Sequence, residues 1–161
     1  MGSYDAYVGE LDATGVRVAI IAGRFNRHIT EPLVEGARRA LRERGAPDDA
    51  LNEYWVPGAF EMPLVAQRLA VSGEVDAVIC LGAVIRGDTP HFEFVAGECA
   101  TGLARVALDS GIPVIFGVLT TNSLEQAQAR CGPGDDNKGF EAGLGAIEMV
   151  ALLDRLGKRP D

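Results

Sequence analysis

The sequence predicts an α/β protein, a three-layer α/β/α sandwich with a central sheet of four parallel strands. Three observations predict it. β-rich segments alternate with helical patterns along the whole chain. The segments that begin at Val16, Asp76 and Ile112 are nearly continuous apolar runs, as expected of strands covered on both faces. The chain has 161 residues, 47% of them apolar, enough for one domain with a sizeable core.

The first strand is expected from Val16 to Ala22, ending at Gly23. Thr30-Glu31-Pro32 then reads as a helix start, with Thr30 as cap and Pro32 in the first turn. Leu33, Val34, Ala37, Ala40 and Leu41 follow at helical spacing. Asn52 to Val56 is a short strand stopped by Pro57-Gly58, and Met62, Val65, Ala66 and Leu69 form the next helical stripe. Asp76 to Leu81 is the third strand, and Thr89-Pro90 opens a helix that runs to about Leu108. Ile112 to Phe116, with Val118, is the fourth strand. Ser123 to Gln126 has the S-x-x-Q pattern of a capping box. A last helix runs from about Lys138 to Leu156, with Phe140, Leu144, Ile147 and Ala151 on one face. Right-handed crossovers are expected. There are no internal repeats and no low-complexity linker.

Composition excludes several classes of function. A formal net charge of -8 leaves no basic surface to displace counterions from a nucleic-acid backbone. No apolar run is long enough to span a bilayer, and Met1 to Asp5 lacks the pattern of a signal peptide, so a cytoplasmic protein is expected. Cys80, Cys99 and Cys131 are far apart, and neither His28 nor His91 has ligand-like spacing to them, so no metal site is expected. Cys80 lies in an apolar run and reads as a buried thiol.

Ligands of open α/β sheets bind beyond the carboxyl ends of the strands. That rule singles out Gly23 to Asn26, Pro57 to Glu61, Gly82 to Thr89 and Gly117 to Asn122. None of them is a dinucleotide fingerprint or a P-loop. His91 falls in the first turn of a helix beside these loops, where it reads either as a proton relay or as a surface histidine. Phe25 either stacks on a flat ring or closes the top of the core, and Phe116, inside a strand, reads as core. Asp88-Thr89-Pro90 offers backbone N–H groups ahead of a helix, as an anion site or an ordinary cap. Arg130 either grips a phosphate with its guanidinium fork or serves as a charge at a helix C-terminus. Lys138, a cation at a helix start, points weakly to an anionic partner, and Glu61 either accepts ligand hydrogen bonds or decorates a helix N-terminus. The N-terminal segment carries Tyr4, Tyr7, Val8 and Leu11 ahead of the first core strand. It reads as an arm that adds to a neighbour's sheet edge or as a frayed terminus.

Six stretches resemble the 6,7-dimethyl-8-ribityllumazine synthase family, in family order over nearly the whole chain. They are Gly23-Arg24-Phe25-Asn26, Val56 to Pro63, Leu81 to His91, Phe116 to Thr121, Glu125-Gln126-Ala127 and Asn137-Lys138-Gly139. The combination is specific where each alone is not. The resemblance implies a flavodoxin-like fold, with residues 1–12 as an intersubunit extension and 13–161 as one domain. It implies condensation of a ribitylamino-pyrimidine with a four-carbon sugar phosphate, without a cofactor. It further implies that Phe25 stacks beside the pyrimidine, and that Ala59, Phe60 and Glu61 line the ribityl chain. Ala83, Val84 and Ile85 would hold the ring through backbone groups. Asp88, Thr89 and Arg130 would bind the phosphate, His91 would donate protons, and a neighbouring subunit would supply Phe116. The partners implied are four further copies in a homopentamer, twelve pentamers in an icosahedral shell, and a partner enzyme inside it. Asp88 departs from a comfortable phosphate site, since its carboxylate must contribute through its backbone N–H or point away. Positions 28 and 134–136 also look non-consensus. Two other readings remain open on sequence: a non-catalytic flavin or lumazine binder, and a structural shell protein. The enzyme reading expects His91, Arg130 and Phe25 to converge on one cleft.

Overall fold

The computed structural model describes residues 11–157. The strands β1 (Val18–Gly23), β2 (Leu51–Val56), β3 (Ala77–Ile85) and β4 (Val114–Thr121) form one parallel sheet in the order β2-β1-β3-β4. The helices are α1 (Arg27–Glu43), α2 (Met62–Val71), α3 (His91–Ser110), α4 (Leu124–Gln128) and α5 (Lys138–Leu156). The expected three-layer α/β/α sandwich of flavodoxin-like order is therefore the observed fold. The expected intersubunit extension, residues 1–12, lies outside the described residues up to position 10, and Leu11 packs against the core of its own chain.

Strand alternation divides the core into two layers. Val18, Ile20, Ala22, Ile79 and Leu81 point to the side covered by α1 and α5. Ala19, Ile21, Val78 and Cys80 point to the side covered by α2 and α3. The chain steps outward from β1 to β2 under α1, then back past β1 to β3 under α2. Opposite directions with helices on opposite faces are what a single hand of crossover requires. The order reverses between β1 and β3, so their carboxyl ends flank the switch-point crevice of such sheets.

Glycine sets the approach of α5 to α1. A β-carbon at Gly139 would overlap the Leu33 carbonyl of α1. The α5 start is fixed by buried Asn137. Its Oδ1 accepts from the N–H groups of Gly139 (2.8 Å) and Phe140 (3.0 Å), and its Nδ2 donates to the Pro32 (3.1 Å) and Gly132 (2.8 Å) carbonyls.

Three boundaries differ from the sequence expectation by more than two residues. Helix α1 begins at Arg27 rather than at Thr30, which leaves Pro32 inside it. Thr30 is buried and donates to the Asn26 carbonyl at 3.3 Å instead of capping. The cap position is Asn26, left-handed at φ 59°, a conformation that Asn tolerates better than most residues. Burial of Ile29 and anchoring of Asn26 to β3 override the local proline signal. Strands β3 and β4 also run further than expected, to Ile85 and Thr121, because Gly82 to Ile85 pairs in register with Val118 to Thr121.

Candidate active site

A cleft of about 640 Å³ opens beyond the carboxyl ends of β1 and β3. Phe25 from the β1–α1 loop, Ala59, Phe60 and Glu61 from the turn after β2, and Ala83, Val84 and Ile85 from β3 all line it. Thr89 and His91, at the start of α3, close the far side. Phe25 and Phe60 are 73% and 60% exposed, so neither closes the core. Exposed aromatic faces on a concave wall suit a flat, partly apolar ligand.

The backbone of this cleft is braced from within. Asn26 Nδ2 donates to the Ala83 carbonyl at 2.9 Å, tying the loop that carries Phe25 to β3. The Arg24 and Phe25 N–H groups donate to the Val56 and Pro57 carbonyls, which ties the same loop to the end of β2. Glu61 holds the N-cap position of α2 without a side-chain cap and is exposed at the rim. Gly87 and Thr89 line the cleft, while Asp88 between them is exposed outside the lining.

Arg130 and Phe116 lie elsewhere. They share a second groove of about 370 Å³ between β4, an outer strand of the sheet, and the first turns of α5. Convergence of His91, Phe25 and Arg130 on one cleft is therefore not found within a single chain. The reason is topological: Arg130 follows α4 beyond the outer strand, whereas Phe25 and His91 follow the two central ones. Phe116 is 45% exposed rather than core, because it sits on the strand that borders no further strand among the described residues. Arg130 Nη1 donates to the Gln126 carbonyl at 2.7 Å, satisfying the end of α4 while it lines the groove. The capping box ahead of it is present in a stretched form. Ser123 Oγ accepts from Gln126 N–H at 3.2 Å, and Gln126 Oε1 reaches back to the Asn122 N–H at 2.7 Å.

The model of the 6,7-dimethyl-8-ribityllumazine synthase family matches residues 15–154. The chain belongs to this family. It is an enzyme of the lumazine synthase reaction class, in riboflavin biosynthesis, and its substrates are small molecules.

Within this lumazine synthase family member, several groups that sequence reasoning passed over take part in the two concavities. Phe92, Phe94 and Val95 line the cleft, and the i, i+3, i+4 pattern from His91 was the signal that could have placed Phe94 and Val95 beside it. In the groove, Glu141 was passed over; its Oε2 lies 2.8 Å from Nζ of Lys138, the helix-start cation that the sequence did single out, and both side chains are less than one-fifth exposed. That i, i+3 pair gives the cation at the helix start a local partner. Arg86 pairs with Glu93, whose carboxyl it holds below the usual carboxylate range through their hydrogen bond. Burial pushes the Cys99 thiol up to about 11 and raises those of Cys80 and Cys131 as well. Among the described residues no helix is long and apolar enough to cross a membrane.

Proposed function

We propose that the enzyme condenses 5-amino-6-(D-ribitylamino)uracil with 3,4-dihydroxy-2-butanone 4-phosphate, giving 6,7-dimethyl-8-ribityllumazine. The single observation that carries this reading is the cleft itself. It puts an exposed aromatic, Phe25, and a histidine, His91, at the switch point of a sheet whose chain belongs to the lumazine synthase family. Phe25 stacks beside the pyrimidine, and Ala83 to Ile85 meet the ring edge with backbone groups. Ala59, Phe60 and Glu61 follow the ribityl chain, with the Glu61 carboxylate accepting from its hydroxyls. The N–H groups from Gly87 to Thr89 and the positive end of α3 receive the phosphate.

The exocyclic amine attacks the ketone carbon, and the carbinolamine loses water to give an imine. Phosphate departs as the carbon–oxygen bond breaks, and the ribitylamino nitrogen closes the second ring with loss of another water. His91 donates and accepts the protons that these losses require. Because the amine is already a nucleophile, holding two reactants together supplies much of the rate.

The groove completes the site in a second copy of the chain. Arg130 clamps the phosphoryl group and Phe116 covers the pyrimidine from the neighbouring subunit. Support comes from the separation of the two concavities, each exposing aromatic surface and each lacking what the other offers. Five copies close into a ring, and twelve rings form a shell. Mixing both substrates with the protein tests the reaction. Appearance of the fluorescent lumazine with stoichiometric phosphate release is expected, and binding of either substrate without product would reject catalysis.

A further inference from the structure

Helix α3 starts at His91 directly after Pro90, and no side-chain hydrogen bond caps it. The residues between β3 and α3 are Arg86, Gly87, Asp88, Thr89 and Pro90. Gly87 is surrounded by open space, since a β-carbon there would meet nothing within 4 Å. A short turn that must present N–H groups and a histidine at fixed positions therefore needs a brace from its flanks.

Arg86 supplies such a brace in four directions. Its N–H donates to the Thr121 carbonyl at 2.8 Å, at the end of the β3–β4 pairing. Its Nε donates to Asn122 Oδ1 at 2.9 Å. Its Nη1 donates to Glu93 Oε1. Its guanidinium carbon lies 4.4 Å from the centre of the Phe92 ring. The residue before the turn thus grips the two residues that follow His91. The same anchor continues to the groove: the Asn122 N–H donates to Gln126 Oε1, and the Gln126 carbonyl receives Arg130.

The geometry points to Arg86 as a positioning residue that presets the 87–90 turn and His91. This rests on the reading of that turn as the phosphate site. An exposed ion pair contributes little stability. The worth of this one is directional, because a planar fork with a stackable face fixes several partners at once and a lysine cannot. Glu93 remains ionised through the physiological range, since its carboxyl is held below the usual value by Arg86.

Steady-state kinetics of R86A, R86K and E93Q, read by lumazine fluorescence, test the assignment together with hydrogen exchange of the backbone amides between Gly87 and Glu93. R86A should raise KM for the sugar phosphate and lower kcat, each by about 10-fold, because small misplacements of reacting groups are costly. KM for the pyrimidine should stay within about twofold, since its contacts lie on other loops. R86K should keep the melting temperature of the parent and still show the kinetic loss, while E93Q should show the same pattern more weakly. Amide exchange in the turn should rise in R86A. Parental kinetics and parental exchange in R86A would overturn the proposal, as would a pyrimidine KM that rises as much as that of the sugar phosphate. If the parent itself forms no lumazine, the functional reading alone fails, and the exchange of the 87–93 amides then decides whether Arg86 holds the turn.

Discussion

The cleft beyond β1 and β3 and the groove along β4 are built from the same fold, yet their chemistry divides between them. The cleft joins loops from three strands and carries aromatic rings, backbone hydrogen-bonding groups and a histidine. The groove has one wall of edge strand and one of helix, and it carries Arg130 and the Lys138–Glu141 pair beside Phe116. In the cleft, the nearby guanidinium of Arg86 is committed to Glu93 and Asn122. On the proposed reading, ring recognition and proton transfer fall to the cleft, while the side-chain cation suited to a phosphate lies in the separate groove. A substrate held at both ends would then need two chains.

The largest effect should come from the cleft. H91A is expected to lower kcat by about 10- to 1000-fold, the range of acid–base contributions against an uncatalysed background. Affinity for both substrates should change little if, as proposed, His91 moves protons rather than gripping either molecule. Stopped-flow measurement of lumazine formation checks this, and full turnover in H91A would remove His91 from the mechanism.

The groove should respond differently. R130A is expected to raise KM for the sugar phosphate by about 10-fold or more, the scale of a lost charge-assisted hydrogen bond. Inorganic phosphate should compete with that substrate in the parent. Equal phosphate binding by R130A and parent in calorimetry would leave Arg130 as no more than the C-terminal partner of α4 that its bond to Gln126 already makes it.

How much of this was legible in the sequence follows from the range of each interaction. Strand cores could be read because Val18 to Ala22 and Val78 to Leu81 are apolar on both faces, a local signal. The extension of β3 through Ile85 could not, since it depends on pairing with β4 more than thirty residues later. Thr30 was a fair cap by local chemistry, but the anchor of Asn26 on the distant Ala83 carbonyl moved the helix start. Phe25 and His91 came together because the carboxyl-edge rule needs only parallel strands, whose following loops share one edge whatever the order of the strands. The placement of Phe116 and Arg130 depended on which strand is outermost, and that is a property of the whole sheet.

The two aromatics sharpen the contrast at a smaller scale. F25A and F116A each remove one ring face, and each should raise KM for the pyrimidine by up to about 10-fold, as for a lost aromatic contact of about 0.5–1.5 kcal/mol. Only F116A should also weaken assembly, because on the proposed reading it is Phe116, half-exposed on the outer strand β4, that packs into the neighbouring subunit. Sedimentation velocity across a dilution series separates the two variants. Loss of assembly in F25A with none in F116A would reverse the assignment of cleft and groove.

Mixing two impaired chains gives the sharpest test of a divided site. Suppose His91 acts in one subunit's cleft and Arg130 reaches in from the next. An assembly of H91A chains alone then has no intact cleft, and one of R130A chains alone has no intact groove. In a co-assembled mixture of equal amounts, each site draws its cleft and its groove from chains chosen independently. About a quarter of the sites receive both intact halves in a closed ring of identical interfaces. Activity should therefore rise above either variant to about a quarter of the parent's, assayed at substrate levels where R130A is slow. Co-refolding is needed so that chains exchange before rings close. Mixing finished assemblies serves as the control and should give only the average of the two. If co-assembled rings, verified by mass spectrometry, also give only that average, each chain uses its own cleft and its own groove. The separation of Arg130 from His91 would then have to close by movement within one chain.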